Sequence, residues 1–127
     1  MPLVRITVSQ ECPVEKRRAL ADAVHNALVE TANVPRDDRF QVIEAVSGDL
    51  VFSGSYLGLD HVGPMVFIQI TLNQGRTIEV KKALYARLAD GASDVGFRRE
   101  DVIVSLIEVA KENWSFGGGV MSYPPAT

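Results

Sequence analysis

Ile6-Thr7-Val8-Ser9-Gln10 and Ile70-Thr71-Leu72-Asn73-Gln74 are the two stretches on which the architecture of this chain turns. They lie 64 residues apart, and residues 3–45 can be set over residues 67–109 at that offset without a gap. Nine positions coincide: Ile6 with Ile70, Thr7 with Thr71, Gln10 with Gln74, Glu15 with Glu79, Ala19 with Ala83, Leu20 with Leu84, Asp37 with Asp101, Ile43 with Ile107 and Glu44 with Glu108. Other pairs exchange like for like, among them Leu3 with Phe67, Val4 with Ile68, Val8 with Leu72 and Val42 with Leu106. A gapless match that also keeps the apolar pattern marks a duplication, and two copies are too few for a solenoid.

Each copy reads strand, helix, strand. In the first, a strand over 3–8 precedes a helix over about 14–32, where Leu20, Val24 and Leu28 recur at helical spacing beside Ala23 and Ala27. A second strand follows over 39–46. The second copy repeats this with a strand over 65–72, a helix over 78–95 carrying Val80, Leu84, Leu88 and Val95, and a strand over 102–109. Segments of these lengths most simply form right-handed parallel crossovers. The expected fold is therefore α/β (α+β), a tandem β-α-β repeat making one four-stranded sheet with both helices on one face. The domain expected is single, with repeats over about 2–46 and 65–110, a linker over 47–63 and a tail over 114–127.

The other sheet face would be left bare. Met65-Val66-Phe67-Ile68 and Val102-Ile103-Val104 are apolar at consecutive positions, as in strands buried on both sides. The expectation is a symmetric oligomer that packs sheet faces together, because a monomer would expose a large apolar patch. The linker, with its short apolar piece Leu50-Val51-Phe52, reads either as a hairpin at a subunit contact or as a plain connection. The tail, with Gly117-Gly118-Gly119 and Pro124-Pro125, reads as irregular chain wrapping a neighbour.

Composition bounds the function. The chain has 127 residues, 46% hydrophobic and 23% charged, enough for one proper core. A formal charge of -3, with only Lys16-Arg17-Arg18 as a basic run on a helix face, argues against nucleic-acid binding. No apolar run approaches the roughly 20 residues a membrane span needs, and the start lacks a secretory signal, so a soluble cytoplasmic protein is expected. The lone Cys12 can form no internal disulfide, and no Cys or His pair stands at zinc-ligand spacing.

Pro2 carries the strongest chemical signal. Removal of Met1 would leave a secondary amine at the head of the first strand. An N-terminal amine titrates near pH ~8, so modest desolvation or a neighbouring charge can poise it as an acid or base near neutrality.

Pro2 together with the duplicated β-α-β unit, Pro35-Arg36-Asp37-Asp38-Arg39-Phe40-Gln41, Gly75-Arg76-Thr77 and Asn113-Trp114-Ser115-Phe116-Gly117 resembles the tautomerase superfamily, and within it the malonate semialdehyde decarboxylase-like group. The likeness spans nearly the whole chain and implies a tautomerase/MIF-like homotrimer with no metal and no organic cofactor. It implies Pro2 as the catalytic amine and Asp38 as the acidic partner that orients or activates water. It implies Arg76 as the binder of the substrate carboxylate, and Trp114, Phe116 and Tyr123 as an apolar wall. One departure stands out: where the group carries a second arginine, this chain has Gln74, an amide that can hydrogen-bond but brings no charge.

The implied substrate is a small oxo acid. Tautomerisation needs a neutral amine that moves a proton beside the carbonyl, while decarboxylation of malonate semialdehyde needs an electron sink from a protonated amine or an iminium ion. Hydration or dehalogenation of a 3-substituted acrylate or propynoate, through water at Asp38, is an alternative; so is a non-catalytic ligand-binding trimer. Each residue also has an ordinary reading: Asp38 as a turn carboxylate beside Arg36 and Arg39, Arg76 as a surface residue, the aromatics as core anchors. His25, His61 and Gln10 receive no role.

Overall fold

A computed structural model describes residues 2–125; Met1, whose removal the reading of Pro2 requires, and the end of the 114–127 tail lie outside them. The chain runs β1 (Leu3–Ser9), α1 (Val14–Thr31), β2 (Phe40–Val46), a small hairpin of β3 (Ser55–Tyr56) and β4 (Leu59–Asp60), β5 (Val66–Asn73), α2 (Ile78–Val95) and β6 (Val102–Val109). The four long strands form one sheet in the order β2-β1-β5-β6. Within each repeat the strands are parallel, β1 with β2 and β5 with β6, and the repeats meet through antiparallel β1 and β5. The tandem β-α-β architecture with one four-stranded sheet, expected from the duplication, is the one observed.

Strand alternation decides what each face carries. Val4, Ile6 and Val8 of β1 and Val66, Ile68, Ile70 and Leu72 of β5 are buried toward the helices. They meet Leu20, Val24 and Leu28 of α1 and Leu84 and Leu88 of α2, all almost fully buried. The expected stripes are thus the observed ones, with Val80 and Val95 at the core margin. Where the helices pack together, a Cβ on Gly91 would come within 3.0 Å of Ala23, so a small residue lets them approach. Thr77 caps α2 by accepting from Val80 N–H at 3.2 Å, and Gly96, at φ 106°, ends it.

The opposite face is left without a helix layer, as expected. Its apolar part is Leu3, Phe40, Val42, Phe67, Ile103 and Ile107, four of them exposed, interleaved with Arg5, Thr7, Glu44, Gln69 and Ser105. Arg5 there donates to Glu44 at 2.8 Å. The linker is part hairpin, turned at Leu57 and Gly58, both with positive φ. Its far end is held by the buried Asp101 carboxylate, which accepts from the Val62 and Gly63 amides at 2.9 and 3.1 Å and from Arg98 at 3.0 Å. The start of the tail packs on its own chain, where Trp114 and Phe116 find partners on β5 and β2.

Candidate active site

One end of the sheet collects the start of β1, the start of β2 and the end of β5. Leu3 pairs with Phe40 on one side and with Thr71 on the other, so Pro2, the residue before it, stands between the strand ends that lead to Asp38 and Arg76. Pro2 is buried there.

Asp38 sits in the tight turn that feeds β2. Its N–H donates to the Pro35 carbonyl at 3.0 Å, and the Arg36 carbonyl lies 2.7 Å from the buried His25 Nε2, which ties the turn to α1. His25, without a role in the sequence reading, thus anchors the segment that presents Asp38. A cleft of about 380 Å³ opens beside the turn, lined by Pro35, Asp37, Asp38, Phe40, Phe116 and Tyr123.

The wall of this cleft is aromatic. Phe116 stacks on Trp114 with centroids 4.9 Å apart and on Phe40 at 5.3 Å, and meets Tyr123 edge-on at 6.1 Å. Trp114 is buried, and its indole N–H donates to the Asn73 side-chain oxygen at 2.7 Å.

Arg76 lies beyond Asn73. Its Nη1 donates to the Asn73 main-chain oxygen at 3.0 Å, while Nε and Nη2 donate to the Ala32 carbonyl at 3.3 and 3.0 Å. Ala32 closes α1, so the guanidinium sits at the negative end of that helix. Burial lowers its pKa below the ordinary value and Glu108 raises it, leaving a cation. A guanidinium has five N–H groups; with three committed to carbonyls, two are left for a carboxylate. Among the described residues no ion pair involves Arg76.

The structure therefore brings Asp38, Phe116 and Tyr123 to one cleft, with Trp114 behind Phe116 and Arg76 joined to Trp114 through Asn73. Gln74, next to Asn73 and two residues before Arg76, is exposed, and its backbone N–H bonds the Val109 carbonyl at 2.9 Å. Two site residues were not assigned from sequence. Phe40 was legible as an aromatic two positions after Asp38, on the open-face parity of β2; Asn73 gave no signal beyond its place three residues before Arg76. Among the described residues no group of His, Cys, Asp and Glu side chains could hold a metal ion. No helix among them is long and apolar enough to cross a membrane.

Two family models of tautomerase enzymes match this chain, one over residues 38–117 and one over residues 2–58. The chain belongs to the tautomerase family. It is 36% identical over 121 residues to the probable tautomerase YusQ of Bacillus subtilis (strain 168), covering 94% of this chain and 95% of that protein. Among solved structures it resembles the FG41 malonate semialdehyde decarboxylase inhibited by 3-bromopropiolate, with 37% identity and a TM-score of 0.89 over 95% of this chain and 93% of that one. A second malonate semialdehyde decarboxylase, described as having decarboxylase and hydratase activities, is 29% identical with a TM-score of 0.84, covering 94% and 93%. These likenesses place the chain with the malonate semialdehyde decarboxylase-like group of the superfamily.

Proposed function

We propose that this chain is a cytoplasmic homotrimeric enzyme whose single-domain protomer, built from repeats over 2–46 and 65–110, uses the Pro2 amine freed by removal of Met1 to tautomerise a small oxo acid. The observation that carries this reading is the convergence of Pro2, the Asp38 cleft and Arg76 on one end of the sheet. The two uncommitted N–H groups of Arg76 grip the substrate carboxylate and hold the carbonyl in register. The neutral Pro2 amine takes a proton from one side of the carbonyl system, and the ammonium returns it to the neighbouring atom, so the amine is regenerated. Asp38 orients the amine or a water beside it. The aromatic wall encloses the apolar part of the substrate.

The likeness to two malonate semialdehyde decarboxylases supports a second reading, decarboxylation of a 3-oxo acid. There the substrate carbonyl, hydrogen-bonded by the protonated amine, or an iminium formed from the neutral amine with loss of water, accepts the electron pair of the breaking C–C bond; carbon dioxide leaves, and protonation of the resulting enol or enamine, with hydrolysis of the iminium where one formed, releases the product and the amine. We rank it second because Gln74 brings no charge where a second arginine is implied, so one cation fewer is available to the site. Activated water at Asp38 extends the same site to hydration.

The test measures ketonisation of enol phenylpyruvate against carbon dioxide release from malonate semialdehyde, with intact mass establishing loss of Met1. Both activities are expected to fall steeply in Pro2→Ala, and faster phenylpyruvate turnover by the wild type would rank tautomerisation first. Full activity in Pro2→Ala would instead point to a different catalytic group, and absence of both activities in the Met1-processed wild type would support a non-catalytic trimer.

A further inference from the structure

We infer that Asn73 is a positioning residue that sets the aromatic wall relative to the acid-binding Arg76, an inference that rests on the substrate-binding roles proposed above for Arg76 and Trp114. Asn73 is the last residue of β5 and only 7% exposed. It holds its two partners by different means. Its side-chain oxygen accepts the buried Trp114 indole N–H at 2.7 Å, and its main-chain oxygen accepts from Arg76 Nη1 at 3.0 Å.

The two grips differ in robustness. The main chain at Asn73 is fixed by its pairing with Val109 and by the Gln74 N–H to Val109 carbonyl bond at 2.9 Å, whatever side chain position 73 carries. The indole, by contrast, is a donor only, and without the Asn73 oxygen it would be buried and unsatisfied. Trp114 must then shift toward water or another acceptor. Phe116 stacks on Trp114 at 4.9 Å and carries Phe40 and Tyr123 with it, so the shift reaches the cleft. Removing the side-chain acceptor should therefore misplace the wall while leaving the Arg76 grip on a carboxylate intact.

Trp114 is the only tryptophan in the chain, so its fluorescence reports this contact directly. In Asn73→Leu, and in the smaller Asn73→Ala should Leu fail to fold, emission is expected to move to longer wavelength. Turnover of enol phenylpyruvate should fall about tenfold, with affinity for propionate, a non-reacting acid, held within about twofold. Asn73→Asp keeps an acceptor for the indole and should retain the wild-type emission, while its charge beside Arg76 weakens propionate binding. In a Trp114→Phe background, which already lacks the indole N–H, Asn73→Leu should cost less than about a further twofold in turnover. The inference is overturned if emission in the Leu and Ala variants is unchanged, or if the Asn73 and Trp114 effects simply multiply. Emission and propionate titration need no turnover, so loss of the proposed activity reading, seen as full activity in Pro2→Ala, is a separate result.

Discussion

The two ends of the sheet are built from the same duplicated unit, yet only one carries the residues proposed for catalysis. At the end where β1 begins stand Pro2, Asp38 and Arg76; the offset of 64 residues matches them to Val66, Val102 and Cys12 at the other end. The Asp37 and Asp101 pair is identical in sequence and opposite in use. Asp37 is exposed and lines the cleft, whereas Asp101 is fully buried and clamps the linker. The second end has its own cavity of about 440 Å³, but it is lined mainly by apolar groups such as Cys12, Pro13, Met65 and Phe97. The cause is covalent. A chain has one amino terminus, and Val66 follows Met65 through a peptide bond, so its nitrogen is an amide that can never serve as a base.

The largest expected effect tests that contrast directly. Pro2→Ala replaces the ring-held secondary amine by a freely rotating primary one and should lower turnover by about 10²–10⁴-fold, the range for a positioned proton-transfer group. Val66→Ala at the matching position should leave the rate per folded molecule unchanged and cost about 2 kcal/mol of stability through a core cavity. Paired kinetics and chemical denaturation read both, and a rate loss in Val66→Ala would break the comparison.

Asp101 comes next. Burial pushes its carboxyl up, but the Val62 amide, Arg98 and the Gly63 amide outweigh burial and leave it below its ordinary 3.8. A carboxyl lowered in the folded state stabilises at pH above its unfolded value, and that contribution is lost as pH falls through the folded value. Denaturation midpoints should thus drop below about pH 3.8, and Asp101→Ala should flatten that part of the profile. The same variant should cost about 3 kcal/mol near neutrality, since it strands two amides and Arg98.

Much of this was legible before any coordinates. The duplication and the apolar periods of 2 and 3.6 foretold the strand and helix order, and α2 was bounded at 78–95 as observed, because Thr77 and Gly96 punctuate it clearly. The expected strand over 65–72 stopped one residue short. Asn is a poor strand former, but pairing with Val109 extends β5 to Asn73, and that single residue joins Arg76 to Trp114. The bare face was legible in part: consecutive apolar residues in β5 and β6 say nothing of what β1 and β2 contribute beside them, which is Arg5 and Glu44 as well as Leu3, Phe40 and Val42. That Asp101 would be buried while Asp37 is exposed depends on where a remote linker lands, which local sequence does not encode.

Arg76→Leu should act more modestly than loss of the amine. Its charge-assisted bonds to a substrate carboxylate are worth enough to raise KM about 10–100-fold, with kcat less affected, and Arg76→Lys should rescue only part because the fork is lost. The matching change Cys12→Ala at the other end should leave KM alone. Steady-state kinetics on enol phenylpyruvate separates the two.

The smallest effect concerns how each end closes a helix. Arg76 donates to the final carbonyl of α1, at Ala32, and Lys16 reaches the corresponding carbonyl of α2, at Gly96, at 3.4 Å while lying 4.2 Å over the Phe97 ring. Neither helix has a basic residue in its own last turn, so each repeat lends the other a cation. Only Arg76 also faces a ligand in the proposed site. Lys16→Met keeps the apolar stem and removes the charge, and should cost about 0.5 kcal/mol in a thermal or urea melt. Activity should be untouched. If Lys16→Met lowered turnover as well, the far end would be coupled to the cleft, and the division between a packing end and a chemical end would have to be redrawn.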